Sequence, residues 1–209
     1  MTVQLQANKA LAAQDIERLV QDHQVHRDVY ISQDVYALEM QHLFANVWVF
    51  VGHESQTPNH GDYFTTQIGS QPVIQVRHSD GGIKVLHNRC PHKGTKIAID
   101  RHGNTGTFFR CPYHAWSFET DGRLKAVPLE SGYSNTSFET TENANGIKPV
   151  GAVHNHRGFV FARLADSGIS FDDFFGDSLS SIDNMVDRSP EGRLEVAGPP
   201  LRYMHKCNW

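Results

Sequence analysis

Two short stretches, "CPHKG" and "CPYHAW", each set a cysteine close to a histidine: Cys90 with His92, and Cys111 with His114, with eighteen residues between His92 and Cys111. No other feature restricts the fold as tightly. Thiolates and imidazoles are good metal donors, and four of them serve one centre only if the chain brings both loops together. Each pair follows a β-branched or aromatic run, "IKVLHNR" before Cys90 and "GTFFR" before Cys111. Each loop is therefore expected at the tip of a β-hairpin, beside the other. Pro91, Pro112 and Gly94 suit tight loops whose backbone approaches a metal centre closely.

The surrounding pattern supports a sheet scaffold. "VWVFVGH" (47–53), "DYFTTQI", "PVIQVRH" and "IKVLHN" are short strand-like runs, punctuated by Gly69-Ser70 and Asp80-Gly81; Asp121-Gly122 follows "WSFET". Dipeptides of the Asp-Gly kind between apolar runs are strong hairpin signals. "VGAVHNHRGFVFARL" (150–164) predicts another hairpin, so an antiparallel β domain is expected from about Gly61 to Leu164. Helical spacing of apolar residues appears before it, over Leu11–Val20 and about Asp34–Asn46, and after it in "SGISFDDFFGDSLSSIDNMVDR", with Ser170 as the cap. "RLEVAG" and "LRYMHKCNW" read as two further strands.

Composition removes several classes of function. A chain of 209 residues, 39% hydrophobic, can bury one substantial core, or one domain and part of a second. The net charge of −4 gives no reason to expect nucleic acid as a partner. Charged residues interrupt the opening "MTVQLQANKALAAQDIERLV", which has neither a signal peptide's apolar run nor the length of a membrane span. Three cysteines are too few for a disulfide scaffold, and a reducing cytoplasm fits best.

Two metals compete for the four donors. Zinc accepts Cys₂His₂ sets, but its ligands usually come as like pairs two to four residues apart. Here unlike ligands alternate, Cys-x-His and then Cys-x-x-His. A mixed-ligand [2Fe–2S] cluster answers that asymmetry better, because one iron takes both thiolates and the other both imidazoles.

The residues "CPHKG…CPYHAWSF" resemble the Rieske signature, with Cys90, His92, Cys111 and His114 falling on its four ligands. Thr95 and Tyr113 stand where respiratory Rieske proteins carry an extra disulfide pair, so the likeness is to the oxygenase style. A cluster without that disulfide is expected in the lower part of the Rieske range, roughly −150 to +300 mV. The leading stretch, with Phe44 and Trp48 before the first strand, resembles the large (alpha) subunit of aromatic ring-hydroxylating oxygenases. "LRYMHKCNW" is similar to the strand that opens that family's catalytic domain.

The resemblance implies a mainly β fold: a helical arm over 1–46, a Rieske domain over 47–165, and over 166–209 a linker leading into an α+β catalytic domain. It also implies a mononuclear Fe(II) held by two histidines and a carboxylate, placed beyond Trp209, so these 209 residues are expected to deliver electrons without hydroxylating anything themselves. An NAD(P)H-dependent reductase or a ferredoxin would supply the electrons, and a homotrimer, with or without a small beta subunit, would be the assembly. By the same likeness His114 faces a neighbouring subunit and Trp116 packs at that junction, while Lys93, Gly94 and Trp116 surround the cluster. A stand-alone Rieske electron carrier is the alternative.

Other candidates read blandly. Cys207 is expected to be a plain strand residue. His154 and His156 would share a face on a strand, but "NHRG" suggests a turn there. Asp172 and Asp173 suit the first turn of a helix, where they answer the backbone amides and the dipole. Tyr113 is expected only to fill its loop.

Overall fold

The computed structural model describes residues 13–138, 145–198, 201 and 203–205. The chain divides into two compact units, one made of residues 1–43 with 200–209 and the other of residues 44–199.

In the smaller unit, α1 (Ala13–Ile16) is shorter than the predicted helix, and the chain turns into a two-stranded hairpin, β1 (Val20–Gln21) with β2 (Gln24–Val25). Val20 and Val25 are β-branched and oppose each other across the hairpin, which accounts for the helix ending early. After α2 (Asp28–Ile31), the Ser32 hydroxyl caps α3 (Gln33–Leu38) by accepting from the Val35 amide, and the helix widens into a π turn over Glu39–Leu43.

Three sheets build the larger unit. β4 (Asp62–Ile68), β5 (Gln71–Arg77), β6 (Ile83–His87) and β7 (His102–Asn104) form an antiparallel sheet in the order β6-β5-β4-β7. β8 (Phe108–Arg110), β9 (Ser117–Glu119) and β10 (Leu124–Ala126) form a second, ordered β10-β9-β8. β11 (Ala152–His156), β12 (Phe159–Arg163) and β3 (Val49–His53) form the third, ordered β11-β12-β3. The turn dipeptides fall where the sequence puts them. Gly69-Ser70 joins the Ile68↔Gln71 pair, and Asp80 accepts from the Gly82 amide at the β5–β6 turn. Gly122, at φ 98°, closes β9–β10. The mainly β fold expected from the sequence is the one observed.

Two hydrophobic cores fill this unit, and the first contains the functional cysteines: Cys90 and Cys111 lie among Ile74, Leu86, Phe109, Trp116, Phe118 and Ile147. The second joins Val51, Ile68, Val73 and Val160. A smaller aromatic cluster seats α4 (Phe171–Phe175) on the third sheet through Trp48, Phe161 and Phe171. Ser170 caps α4 by accepting from the Asp173 amide, with Asp172 and Asp173 in the first turn as expected; α5 (Leu179–Asp187) follows.

Three expectations fail. "RLEVAG" forms no strand; the Val196 amide donates to the Ser55 hydroxyl instead of to a neighbouring strand. Leu201 and residues 203–205 are likewise outside any strand, and Cys207, Asn208 and Trp209 lie outside the described residues. Finally, the turn that "NHRG" suggests takes in only its last two residues, so β11 runs through His156 and does not break between the two histidines. Those two, Arg157 and Gly158, both have positive φ, as a type I′ hairpin requires. His154 and His156 share a face, and the His154 ring stacks on Phe171 at 3.8 Å.

Candidate metal centre

Two differently built loops meet over the first core. Cys111–Trp116 is a true hairpin tip: Arg110 pairs with Ser117, and the loop lies between them. The Cys90 loop is not a hairpin. β6 and β7 are opposite edges of their sheet, so the chain leaving β6 must cross the sheet to reach β7. Hydrogen bonds to the side chain of Asn88, which is 3% exposed, fix that crossing. Its oxygen accepts from the amides of Ile97 (2.8 Å) and Ala98 (3.0 Å), and its amide group donates to the Ala98 carbonyl (2.7 Å). Asn88 lies inside a quoted strand run, yet nothing in the sequence marks it, because its partners are brought to it by the fold. Asn88→Ala is expected to lower stability by about 3 kcal/mol, since it strands buried backbone groups at 1–3 kcal/mol each. A urea titration should show a lower midpoint at unchanged slope.

Despite these different origins the loops share one backbone turn. The Cys90 amide donates to the Thr95 carbonyl and the Gly94 amide to the Cys90 carbonyl; likewise Cys111 donates to Trp116 and Ala115 to Cys111. The fifth residue of each turn is left-handed, Gly94 at φ 76° and Ala115 at φ 59°. Glycine adopts this region freely, whereas alanine is strained by roughly 1–2 kcal/mol. Ala115→Gly should therefore raise stability by about 1 kcal/mol, less what the freer unfolded chain takes back. Thermal or urea unfolding measures it, and a loss of stability would refute the strain.

The four donors come as two pairs. Cys90 and Cys111 are buried and free of disulfides, and their sulfurs are within hydrogen-bonding distance. Burial pushes the Cys90 thiol up from its ordinary pKa; the neighbouring Cys111 adds to that, while backbone amides of His92 and Lys93 pointing at the sulfur oppose it. On the other side the His92 and His114 rings lie 4.7 Å apart, inclined at 64°. His92 is half-buried and its Nδ1, wholly buried, has no hydrogen-bond partner among the described residues; His114 is exposed. Burial first, then the nearby His114 and Lys93, depress the His92 pKa and keep the ring neutral, with a lone pair to offer.

Aromatic rings enclose the imidazoles. Trp116 stacks on His92 at 4.8 Å with only 1° between planes, and Phe138 packs edge-on against the indole. Trp116 is 4% exposed, so its ring lies inside this chain's own core, and the expectation that it packs at a subunit junction is corrected. Tyr113 is exposed and sits 3.7 Å from the His114 ring, so it does more than fill its loop.

This donor set suits a two-iron cluster better than zinc. The two sulfurs are close to each other, and so are the two imidazoles. Structural zinc needs four protein ligands around one point. A [2Fe–2S] cluster needs a sulfur pair for one iron and an imidazole pair for the other. An unpartnered buried Nδ1 costs about 1–3 kcal/mol, a cost that a metal bond removes.

Known proteins agree with this chemistry. Residues 47–140 match the family model "Rieske [2Fe-2S] domain". The chain is 36% identical to the toluate 1,2-dioxygenase subunit alpha of Pseudomonas putida, over 88% of this chain and 40% of that one. It is also 36% identical to the anthranilate 1,2-dioxygenase large subunit of Acinetobacter baylyi, over 90% of this chain and 39% of that one. The solved naphthalene 1,2-dioxygenase from a Rhodococcus species superposes with a TM-score of 0.79 at 30% identity, covering 90% of this chain and 42% of the other. The chain thus spans about two fifths of the length of the curated relatives it matches. Sequence, donor geometry and these likenesses converge: residues 47–140 are a Rieske [2Fe–2S] domain, in a chain similar to part of the alpha subunits of aromatic ring-hydroxylating dioxygenases.

Proposed function

We propose that this chain is the electron-delivering N-terminal portion of an aromatic ring-hydroxylating dioxygenase alpha subunit. In this reading Cys90 and Cys111 hold one iron of the [2Fe–2S] cluster, and His92 and His114 hold the other. Residues 1–46 are a helical arm, 47–165 the Rieske domain, and 166–209 the approach to a catalytic domain bearing a mononuclear iron. A ferredoxin or an NAD(P)H-dependent reductase in the cytoplasm supplies the electrons, and the full subunit forms a trimer, with or without a small companion subunit. The substrate is an aromatic compound of the class that the relatives' names describe. The observation that carries this reading is the sorting of two buried sulfurs to one side and two imidazoles, one with an unpartnered buried Nδ1, to the other.

When bound, the cluster supplies reversible one-electron storage. The chain's own residues prepare the place. The His92 and Lys93 amides stabilise negative charge on the Cys90 sulfur. Trp116 fixes the His92 ring in one plane and excludes water from its buried side. His114, exposed beneath Tyr113, gives the centre an edge that another protein surface can reach. The remaining ring N–H of each imidazole is free to donate a hydrogen bond or release a proton as the redox state changes.

Analysis of the purified protein tests the assignment: about two irons and two acid-labile sulfides per chain, with an EPR signal on reduction that reports unequal coordination of the two irons. Colourless protein with one zinc would overturn it.

A further inference from the structure

His53 closes β3 and, at 5% exposure, is a buried titratable side chain that the metal centre does not use. It caps the 3-10 turn Glu54–Gln56, and the groups around it fix where its proton sits. The Ser55 amide donates to His53 Nδ1 at 3.2 Å, and the Ser55 hydroxyl lies 2.9 Å from the same nitrogen. Nδ1 therefore offers its lone pair, which leaves the proton of the neutral ring on Nε2. Nε2 is buried and has no hydrogen-bond partner among the described residues; a Cβ at Gly158 would meet it at 2.4 Å. Phe159 stands edge-on to the ring at 5.1 Å, so the β11–β12 turn and β12 hold it in this orientation.

Ser55 also tethers a distant part of the chain. Its hydroxyl accepts from the Val196 amide at 3.0 Å, across 141 residues. Val196 ends an extended stretch, residues 193–196, that pairs with no strand. Arg193, Leu194 and Glu195 of that stretch help to wall a cavity of about 600 Å³, together with Glu54, Arg77 and His78. The donors thus run in series, from the Val196 amide to the Ser55 hydroxyl and from Ser55 to His53 Nδ1.

We propose that residues 193–196 are a strap latched by neutral His53, and that a proton taken up at Nδ1 unlatches the strap and opens the cavity. A protonated Nδ1 faces the Ser55 N–H donor against donor, so Ser55 turns away and its hydroxyl leaves Val196. The charges near the ring have been weighed in this direction. Glu54, held by Asn155, and Glu195 on the strap both favour the protonated ring. Arg77 donates to the carbonyls of Thr57, Glu54 and Gly81, and Arg193 pairs with Glu191 and Glu195. From β12 come only Gly158 and Phe159, and from β5 the amide of Gln75, which donates to the His53 carbonyl. Burial outweighs the two carboxylates and lowers the His53 pKa below its ordinary value. The latched state therefore binds fewer protons than the open one. It is complete above the ordinary histidine pKa of about 6.5 and weakens as the pH falls from there.

Hydrogen exchange of the backbone amides in the purified full chain, corrected for the intrinsic rate at each pH, tests the latch. Protection of the Val196 amide should fall about tenfold on acidification, the scale of one lost hydrogen bond, while the Val51 amide in β3 keeps its protection. His53→Asn supplies an acceptor that does not titrate and is a favoured cap, so Val196 should then be protected equally at every pH. Ser55→Ala should leave Val196 unprotected throughout, with unchanged circular dichroism at neutral pH. Val196 protection independent of pH in the wild type, a surviving pH dependence in His53→Asn, or full protection in Ser55→Ala overturns the latch. Exchange is read without iron, so a colourless protein would sink the proposed function and leave this test intact.

Discussion

Cys111→Ser is expected to leave a folded but colourless protein, with iron falling from about two per chain towards none. Cys111 is 3% exposed, lies in the first core, and its sulfur is within hydrogen-bonding distance of the Cys90 sulfur. A serine hydroxyl at that place is nearly isosteric but stays protonated, and a neutral alcohol is a poor ligand for iron beside a soft thiolate. The fold should survive, because the hairpin is closed by backbone bonds from Cys111 and Ala115 that serine keeps. Burying a hydroxyl costs about 1–3 kcal/mol, a loss that a domain of this size tolerates. Cys90→Ser should have the same effect, and the double variant no more, because both sulfurs serve one iron and its loss is complete after the first. Visible absorption, iron analysis and far-ultraviolet circular dichroism together decide the matter. Wild-type iron content in either serine variant would mean that the centre lies elsewhere.

How much of this could be read from the sequence depends on the range of the interactions. Gly69-Ser70, Asp80-Gly81 and Asp121-Gly122 announce their turns because the backbone angles they need are set by the residues themselves. The Cys/His spacing is local too, and it is what points to a metal centre. The path into the first loop was not legible. Whether β6 turns back on β7 or crosses to the far edge depends on β7 pairing with β4, some forty residues away along the chain. The Asn88 hydrogen bonds exist only after that crossing. Family likeness placed Trp116 at a subunit junction, but the apolar area of an indole favours burial, and here the ring packs against Phe118 and Phe138, the latter from a separate segment. "RLEVAG" has strand-like composition, yet a strand needs a free edge to pair with, and Ser55 takes the Val196 amide instead.

His114→Cys asks more of the chemistry, because it changes the charge of the centre without emptying it. With two thiolates and two neutral imidazoles, mixed-ligand clusters titrate between roughly −150 and +300 mV, while four-thiolate clusters of the plant type lie near −400 mV. One substitution goes part of the way, so a fall on the order of 100–200 mV is expected. The dependence of the potential on pH should also flatten, because one of the two imidazole N–H groups that release protons on oxidation is gone. His114 is the better site for this exchange than His92. It is exposed and touched mainly by the Tyr113 ring, whereas His92 is clamped flat against the buried Trp116, where a smaller side chain would leave a void. Tyr113→Ala serves as the control: it removes the same ring contact but leaves the imidazole, and should move the potential by only a few tens of millivolts, the scale of a change in solvent exposure around an unchanged ligand set. An intact cluster whose potential is equal in His114→Cys and Tyr113→Ala would remove His114 from the ligands, and with it the pairing of imidazoles on which the electron-delivery function depends.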